Sequence, residues 1–598
     1  MSKKPAPTLG LQQLQTHSGL AAGCVLLLAF LLRLWKASGT FLNLDEAMHC
    51  LAANKPSLAE AYWASLGLAH PPLLILLLNV WRGLGTSELV LRLPSVIAGT
   101  IFCWIFFKWL TQLLGPTAGC VGFVLVCFLP PFVELSAEVR QYPLLLCFLI
   151  AAAYALELAL SQDSASKMLL FFVFLYLAML THFSAILFAA AIGTYSLSRL
   201  TDARLSRRAV AVWIAGSAGA LGLFAFLYRT HIVQLKSSAS AQNMHDFLAK
   251  SYFHWAHDHL LPFAFARTFG VFQYTFGQLV VGDIAGIFFI AGVGFLLSAK
   301  MGEQHGPSSR QLGLFLMLPF LITCMAAIVG LYPYGGTRHS AFLMPFAVAG
   351  VSLAMATLAR QKMARALSAA FLTILICQAL GNPHRPFMRR ADQRSANMRQ
   401  AIDAIRQQVQ PADIIFVDFQ TTFLLRFYLC PEVGYETFST SGFRTFSCGG
   451  KHVIAANSET NILTAEAFVR RWNGMENTFD LKSGQTVWIF QAGWDIGLAQ
   501  GLQKQFPQFH NLKYDSFGRN ISLFKLTVGQ VIPVADYDLP DGLQQGRLAD
   551  VLVVGNQRQT FGSRGSADQT IGWVSRTIIW KLRGKRCNFR GDGFDNDA

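Results

Sequence analysis

"SGTFLNLDEAMHC", residues 38–50, follows directly on an apolar run, 19–36, that is long enough to cross a bilayer. Two adjacent acids, Asp45 and Glu46, stand just where the chain leaves that run. Charges beside a bilayer are costly unless they are paired, solvated or used, so this pair asks what kind of membrane protein follows. One reading is a solvated helix start, in which Asn43 caps a helix whose first turn holds both acids, favourably with the macrodipole. On such a helix neighbouring side chains diverge by about 100°, so one acid can face a cavity while the other binds a different partner.

The surrounding composition makes a polytopic membrane protein the default. Of 598 residues, 53% are hydrophobic, only 14% are charged and 49 are Phe. The net charge of +16 is carried by Lys and Arg that fall largely in short loops and in the C-terminal third. Membrane orientation explains that distribution, and no RNA- or DNA-binding motif accompanies it, so nucleic acid is not an expected partner. Apolar runs of membrane-crossing length are read near 19–36, 92–110, 117–134, 142–160, 168–182, 183–200, 209–228, 284–299, 312–331, 340–358 and 364–380, about eleven spans in all. The first carries Arg33 and Lys36 at its far end and is followed by many more, which marks it as an uncleaved span rather than a signal peptide.

Short loops dense in Arg and Lys, such as "SRLTDARLSRR" and "ARQKMAR", predict a cytoplasmic N-terminal tail (1–18) and a cytoplasmic (inner) membrane location. The segments 38–91, 135–141, 229–283, 332–339 and everything after about 381 then lie outside. Within the transmembrane module, 19–381, the first outer loop (38–91) includes "HPPLLILLLNVWRGLG", too short and too proline-led for a span and better suited to an interfacial helix. The aromatic-rich segment 244–274 is expected to lie on or dip into the outer leaflet. From 382 to 545 alternating strand and helix patterns predict a C-terminal extracytoplasmic α/β domain, and 546–598 reads as a poorly ordered tail. Cys430 and Cys448 bracket a Gly/Ser/Thr-rich stretch of that domain and can pair if it lies outside, although spacing alone does not decide connectivity.

The remaining candidates for chemistry gather at the outer boundary. "ELSAEVRQYPLL" puts Glu134, Glu138, Arg140 and Tyr142 into a very short loop, and a guanidinium there can hold a phosphate bidentately or serve as an interface anchor paired with Glu138. "YPYGGTRHSAFLMP" opens a late span with Arg338 and His339, while His70 and His182 lie at the same level. Acids and arginines on one membrane face are the inventory for a general base beside an anionic lipid headgroup. "HWAHDH" places His254, His257 and Asp258 at i, i+3 and i+4, a feasible but weak divalent-metal spacing on a helix.

In order along the chain, "LDEAMH", "HPPLLILLL", "SELVLRLPSVIAGT", "SAEVRQYPLLL" and "GTRHSAFLMPFAV" resemble the motifs of bacterial membrane glycosyltransferases of the C superfamily. The nearest likeness is to family 39 and the rhizobial lipopolysaccharide glycosyltransferase-like group, with protein O-mannosyltransferases and lipid A aminoarabinose transferases more distant. The resemblance implies a glycosyltransferase C-superfamily fold and inverting transfer of a sugar from a polyprenyl-phosphate donor to a lipid, glycan or protein acceptor outside the membrane. It implies Asp45 as the base, Glu46 as a supporting neighbour, and Arg140 on the lipid phosphate with Glu138 and Tyr142 in support. Arg338 and His339 fall where late-loop residues approach that phosphate. His70 stands where the aminoarabinose transferases carry a phosphate-binding lysine, and "AMHC" departs from the relatives on the acceptor side.

No cofactor is required by this chemistry if arginines neutralise the leaving phosphate, and a divalent metal remains compatible with it. Two other classes compete: a multi-spanning transporter or flippase of a lipid-linked or anionic substrate, and a non-catalytic membrane scaffold. Transporters place charge near the midplane on broken helices in repeated halves, whereas here the charges gather in outer loops and no repeat is visible.

Overall fold

The computed structural model describes residues 9–202, 205–236, 248–298, 307–358, 371, 393–430, 438–440, 443–456, 464–479, 481–493, 497–518 and 521–529. Among the described residues, seven helices are long and apolar enough to cross a membrane, or eight if one bent pair is a single span. They begin with α1 (Leu9–Ala37), after which three short helices, α2 (Leu44–Ala53), α3 (Leu58–Ser65) and α4 (Leu73–Trp81), fill the first long loop. Then come α5 (Glu88–Leu114), α6 (Pro116–Phe128), α7 (Pro130–Ser136) and α8 (Tyr142–Ser161).

Fewer helices than the expected eleven pass as spans, for local reasons. The run 168–182 forms a helix of 15 residues, Ala165–Met179, and Ser184–Asp202 ends in a polar turn. The segment 364–380 lies outside the described residues apart from Phe371. The run 117–134 breaks between α6 and α7 with a bend of 54°. Pro130 and Pro131 cause that break, since neither can donate an N–H to the turn before it.

Arg33 resolves the break. Its Nη1 donates to the Cys127 carbonyl at 2.9 Å and its Nη2 to the Val126 carbonyl at 3.0 Å, the two acceptors whose i+4 partners are Pro131 and Pro130. Sequence position suggested a flanking charge at the end of the first span; the side chain is instead fully buried. Two orphaned backbone carbonyls in an apolar interior cost more than one long buried cation that answers both. Arg33→Met is therefore expected to lower unfolding stability in detergent by roughly 2–4 kcal/mol, the desolvation cost of two unpaired acceptors. A thermal or denaturant midpoint unchanged from wild type would show that something else satisfies them.

The C-terminal sheet has seven strands in the order β2-β3-β4-β1-β5-β7-β6. Its middle is β1 (Ile414–Val417), buried at every position and parallel to both neighbours, β4 (Lys451–Ala456) and β5 (Thr486–Ala492). The outer strands, β2 (Phe438–Thr440), β3 (Phe443–Cys448), β6 (Asp515–Ser516) and β7 (Ile521–Thr527), pair antiparallel. A run of apolar residues flanked by helices is what a strand covered on both faces should read as. Cys430, after the helix Phe419–Leu429, is disulfide-bonded to Cys448 at the end of β3.

One face of this sheet shares its core with the first loop. Phe41, Leu44 and Ala47 are buried together with Leu424, Leu425, Leu429 and β-strand residues such as Val417 and Phe490. Backbone contacts reinforce the join: Phe41 N donates to Gln393 O at 2.9 Å, Ser395 N to Gly39 O at 3.0 Å, and Leu42 N to the Tyr428 hydroxyl at 2.9 Å. Helix α2 is therefore clamped between the membrane helices and the sheet.

Candidate functional site

Asn43 starts α2. Its side chain accepts from Glu46 N at 3.0 Å while the Glu46 carboxylate accepts from Asn43 N at 2.9 Å, a complete capping box. That geometry fixes both acids in the first turn, where the helix dipole favours them, and then separates them. Glu46 turns inward and is 1% exposed; Asp45 stays at the rim with 21% of its side chain accessible.

Glu46 meets Arg92, a residue at the membrane end of α5 that motif reading passed over. Arg92 Nε and Nη2 reach the two Glu46 oxygens at 2.7 and 2.8 Å, while Nη1 donates to the carbonyls of Ala37 and Thr40 at 2.8 and 2.9 Å. Glu46 Oε1 also accepts from Val139 N at 2.8 Å. One buried pair thus ties the end of α1, the start of α2, α5 and the loop before α8 together. The only sequence signal for Arg92 was a charge opening a span. Glu46 accordingly supports the site from behind rather than facing it.

The residue after Val139 is Arg140, held 3% exposed, and it is ion-paired with Asp45. Arg338, at the start of the 3-10 turn Arg338–Leu343, reaches the same Asp45 Oδ2 at 2.9 Å with 38% of its side chain exposed. Asp45 therefore stands between two guanidiniums brought from distant parts of the chain. Among the described residues Arg140 Nε has no hydrogen-bond partner, and Glu138 Oε2 is 3.8 Å from it. Burial, together with the Glu46 charge, pushes the Glu138 carboxyl up to about 7.

A row of aromatic rings flanks this cluster. His49, one turn beyond Asp45 on α2, lies 5.6 Å from His70 between ring centroids; His70 stacks on His182 at 5.5 Å, and His182 lies 5.3 Å from Tyr142. Gln141 Nε2 comes within 3.0 and 3.1 Å of the two His70 ring nitrogens. Tyr142 is 1% exposed and stands at the end of the row, against His182. His339 sits near enough to Arg338, His70 and His182 to act on the last two electrostatically. His49 was visible in the sequence only as part of the unusual "AMHC".

The His254, His257 and Asp258 trio does not form the expected helical face. Residues 254–259 are a single turn, closed because the Asp258 carboxylate accepts from His254 N at 2.7 Å, and a helix begins only at Leu260. Among the described residues no three His, Cys, Asp or Glu side chains converge as metal ligands.

Residues 69–228 match the model of the dolichyl-phosphate-mannose-protein mannosyltransferase family. No curated protein matches the chain. Among solved structures, ArnT from Cupriavidus metallidurans bound to undecaprenyl phosphate is similar at 12% identity and a TM-score of 0.48, over 87% of this chain and 100% of that one. The oligosaccharyltransferase AglB from Archaeoglobus fulgidus, in complex with an inhibitory peptide and a dolichol-phosphate, is similar at 11% identity and a TM-score of 0.44, over 87% of this chain and 75% of that one. The matched segment contains His70, Arg92, Glu138, Arg140 and Tyr142.

Proposed function

We propose that this protein transfers a sugar from a polyprenyl-phosphate donor to an acceptor hydroxyl or amide at the membrane face, with Asp45 as the base. The observation that carries the reading is the placement of Asp45 Oδ2 between Arg140 and Arg338. A carboxylate in that position is a stand-in for a phosphate, and a phosphodiester that displaces it from the guanidiniums leaves it free to take a proton. The matched family is named for a sugar donor of this kind.

The step balances without further reagents. The acceptor gives its proton to Asp45 as its heteroatom bonds to the anomeric carbon, and the bond from that carbon to the phosphate oxygen breaks. The electron pair leaves with the polyprenyl phosphate, and the charge that grows on it falls on Arg140 and Arg338. Attack opposite the leaving group inverts the anomeric centre. The active face, by the positive-inside pattern of the loops, is extracytoplasmic. The acceptor is a lipid, glycan or protein, and no step is assigned to a metal.

The direct test supplies purified protein with a radiolabelled polyprenyl-phospho-sugar and an envelope extract as acceptor. Wild type should transfer label, and Arg140→Ala should raise the donor KM by about tenfold or more, the loss of one charge-assisted phosphate contact. Donor binding by Arg140→Ala equal to wild type would remove Arg140 from the phosphate site.

Glu138 adds a pH dependence. With its carboxyl raised to about 7, it is largely protonated below neutrality and gains a negative charge above it. An anionic donor should therefore bind more weakly as pH rises from 6 to 8, by up to about tenfold if the phosphate shifts this carboxyl by one further unit. Titration calorimetry across that window should show the slope in wild type and a flat profile in Glu138→Gln. A slope that survives the substitution would assign the proton to another group.

A further inference from the structure

Beside the Asp45–Arg338 pair the structure leaves polar atoms with nothing to bind. His49 Nδ1 and Gln141 Oε1 are both buried, on side chains 4% and 0% exposed, and neither has a hydrogen-bond partner among the described residues. Buried polar groups are almost always satisfied, and two orphans around one partly buried ring, His70, mark a place where a ligand supplies the partners. We propose that His49, His70 and Gln141 bind the glycosyl unit of the donor through its hydroxyls and select against sugars that bear a carboxylate. The inference rests on the donor reading above and names which class of sugar that site takes.

Position supports it first. Gln141 directly follows Arg140 and His49 lies one helical turn from Asp45, so a phosphate on the arginines puts its sugar against these side chains. The chemistry agrees. A neutral imidazole offers one donor and one acceptor, and a carboxamide offers both, which is the complement of hydroxyls that themselves donate and accept. Burial, against the opposing charge of Glu46, holds His49 at about 4, so it stays neutral at physiological pH.

Charge excludes an acidic sugar. Three guanidiniums, Arg92, Arg140 and Arg338, already face the carboxylates Asp45 and Glu46, with Glu134 and Glu138 beside them. The donor phosphate adds another anion, and a carboxylate on the sugar would be a further one in a cluster where the acids already outnumber those guanidiniums.

The test uses the full-length protein in lipid nanodiscs, carrying Asp45→Asn so that bound donors are not consumed. Four ligands share one prenyl chain: the phosphate alone, and its hexosyl, hexuronosyl and aminohexosyl esters. The hexosyl ester should bind at least about tenfold tighter than the hexuronosyl ester, with the aminohexosyl ester as the control of opposite charge, and Gln141→Leu or His49→Phe should remove about tenfold of the hexosyl affinity while leaving the bare polyprenyl phosphate within about twofold. Unchanged binding of the bare phosphate shows that each variant is folded, and the four-ligand comparison needs neither variant. A hexuronosyl ester that binds as well as the hexosyl one overturns the inference alone, as do variants that weaken the bare phosphate equally. Failure of all four ligands to bind overturns the donor reading and the inference with it.

Discussion

Asp45→Asn should lower kcat for glycosyl transfer by about 10³-fold, within the range general-base catalysis supplies, while the donor KM stays level or falls. The split follows from the two jobs proposed for Asp45. As a carboxylate it accepts the proton; as an anion between Arg140 and Arg338 it also competes with the phosphate for both cations. Asparagine keeps the shape, cannot take the proton, and no longer competes. The assay is steady-state transfer with a polyprenyl-phospho-sugar at several donor concentrations. Turnover close to wild type would sink Asp45 as the base, and a large rise in KM at unchanged kcat would recast it as a binding residue.

Glu46→Ala should cost roughly 3–5 kcal/mol of stability, because it strands Arg92 as a buried, uncompensated cation. This buried pair joins several segments: the guanidinium answers Glu46, Ala37 and Thr40, and Glu46 answers Asn43 and Val139. The loss should appear as an early thermal midpoint in detergent, and catalysis should fall with it, since Val139 sets the position of Arg140. Replacing both partners, Glu46→Leu with Arg92→Met, should recover part of the stability, because the stranded charge is then gone, yet leave activity low because Val139 N has lost its anchor. A single Glu46→Ala variant as stable as wild type would show that water or another carboxylate reaches Arg92.

Much of the membrane region was legible because hydropathy is a local property. A run of apolar residues near α8 or Leu279–Ser298 must be buried in lipid or protein wherever it lies, and Asn43 with Glu46 three residues on announces its own helix start. The strands flanking β1 were readable for the same reason. What failed was reading that depends on a neighbour distant in sequence. Arg33 looked like a flanking charge because nothing in its own stretch reveals that Pro130 and Pro131 leave two carbonyls open beside it. "HWAHDH" had helical spacing, but the Asp258 side chain competes for the backbone and closes one turn only.

The acid pair shows the division most clearly. Sequence alone determined that Asp45 and Glu46 begin a capped helix just beyond a span, and that their side chains diverge, since capping and helical pitch are set within four residues. Tertiary structure alone decided which acid is buried and which stays at the rim. Arg92 buries with Glu46 because one bidentate partner and the carbonyls of Ala37 and Thr40 together repay the loss of water, while Asp45, left at the rim, is reached by Arg140 and Arg338 from loops far along the chain. Ion pairing in a low-dielectric interior depends on distances of a few ångströms between segments, and those distances exist only once the helices have packed.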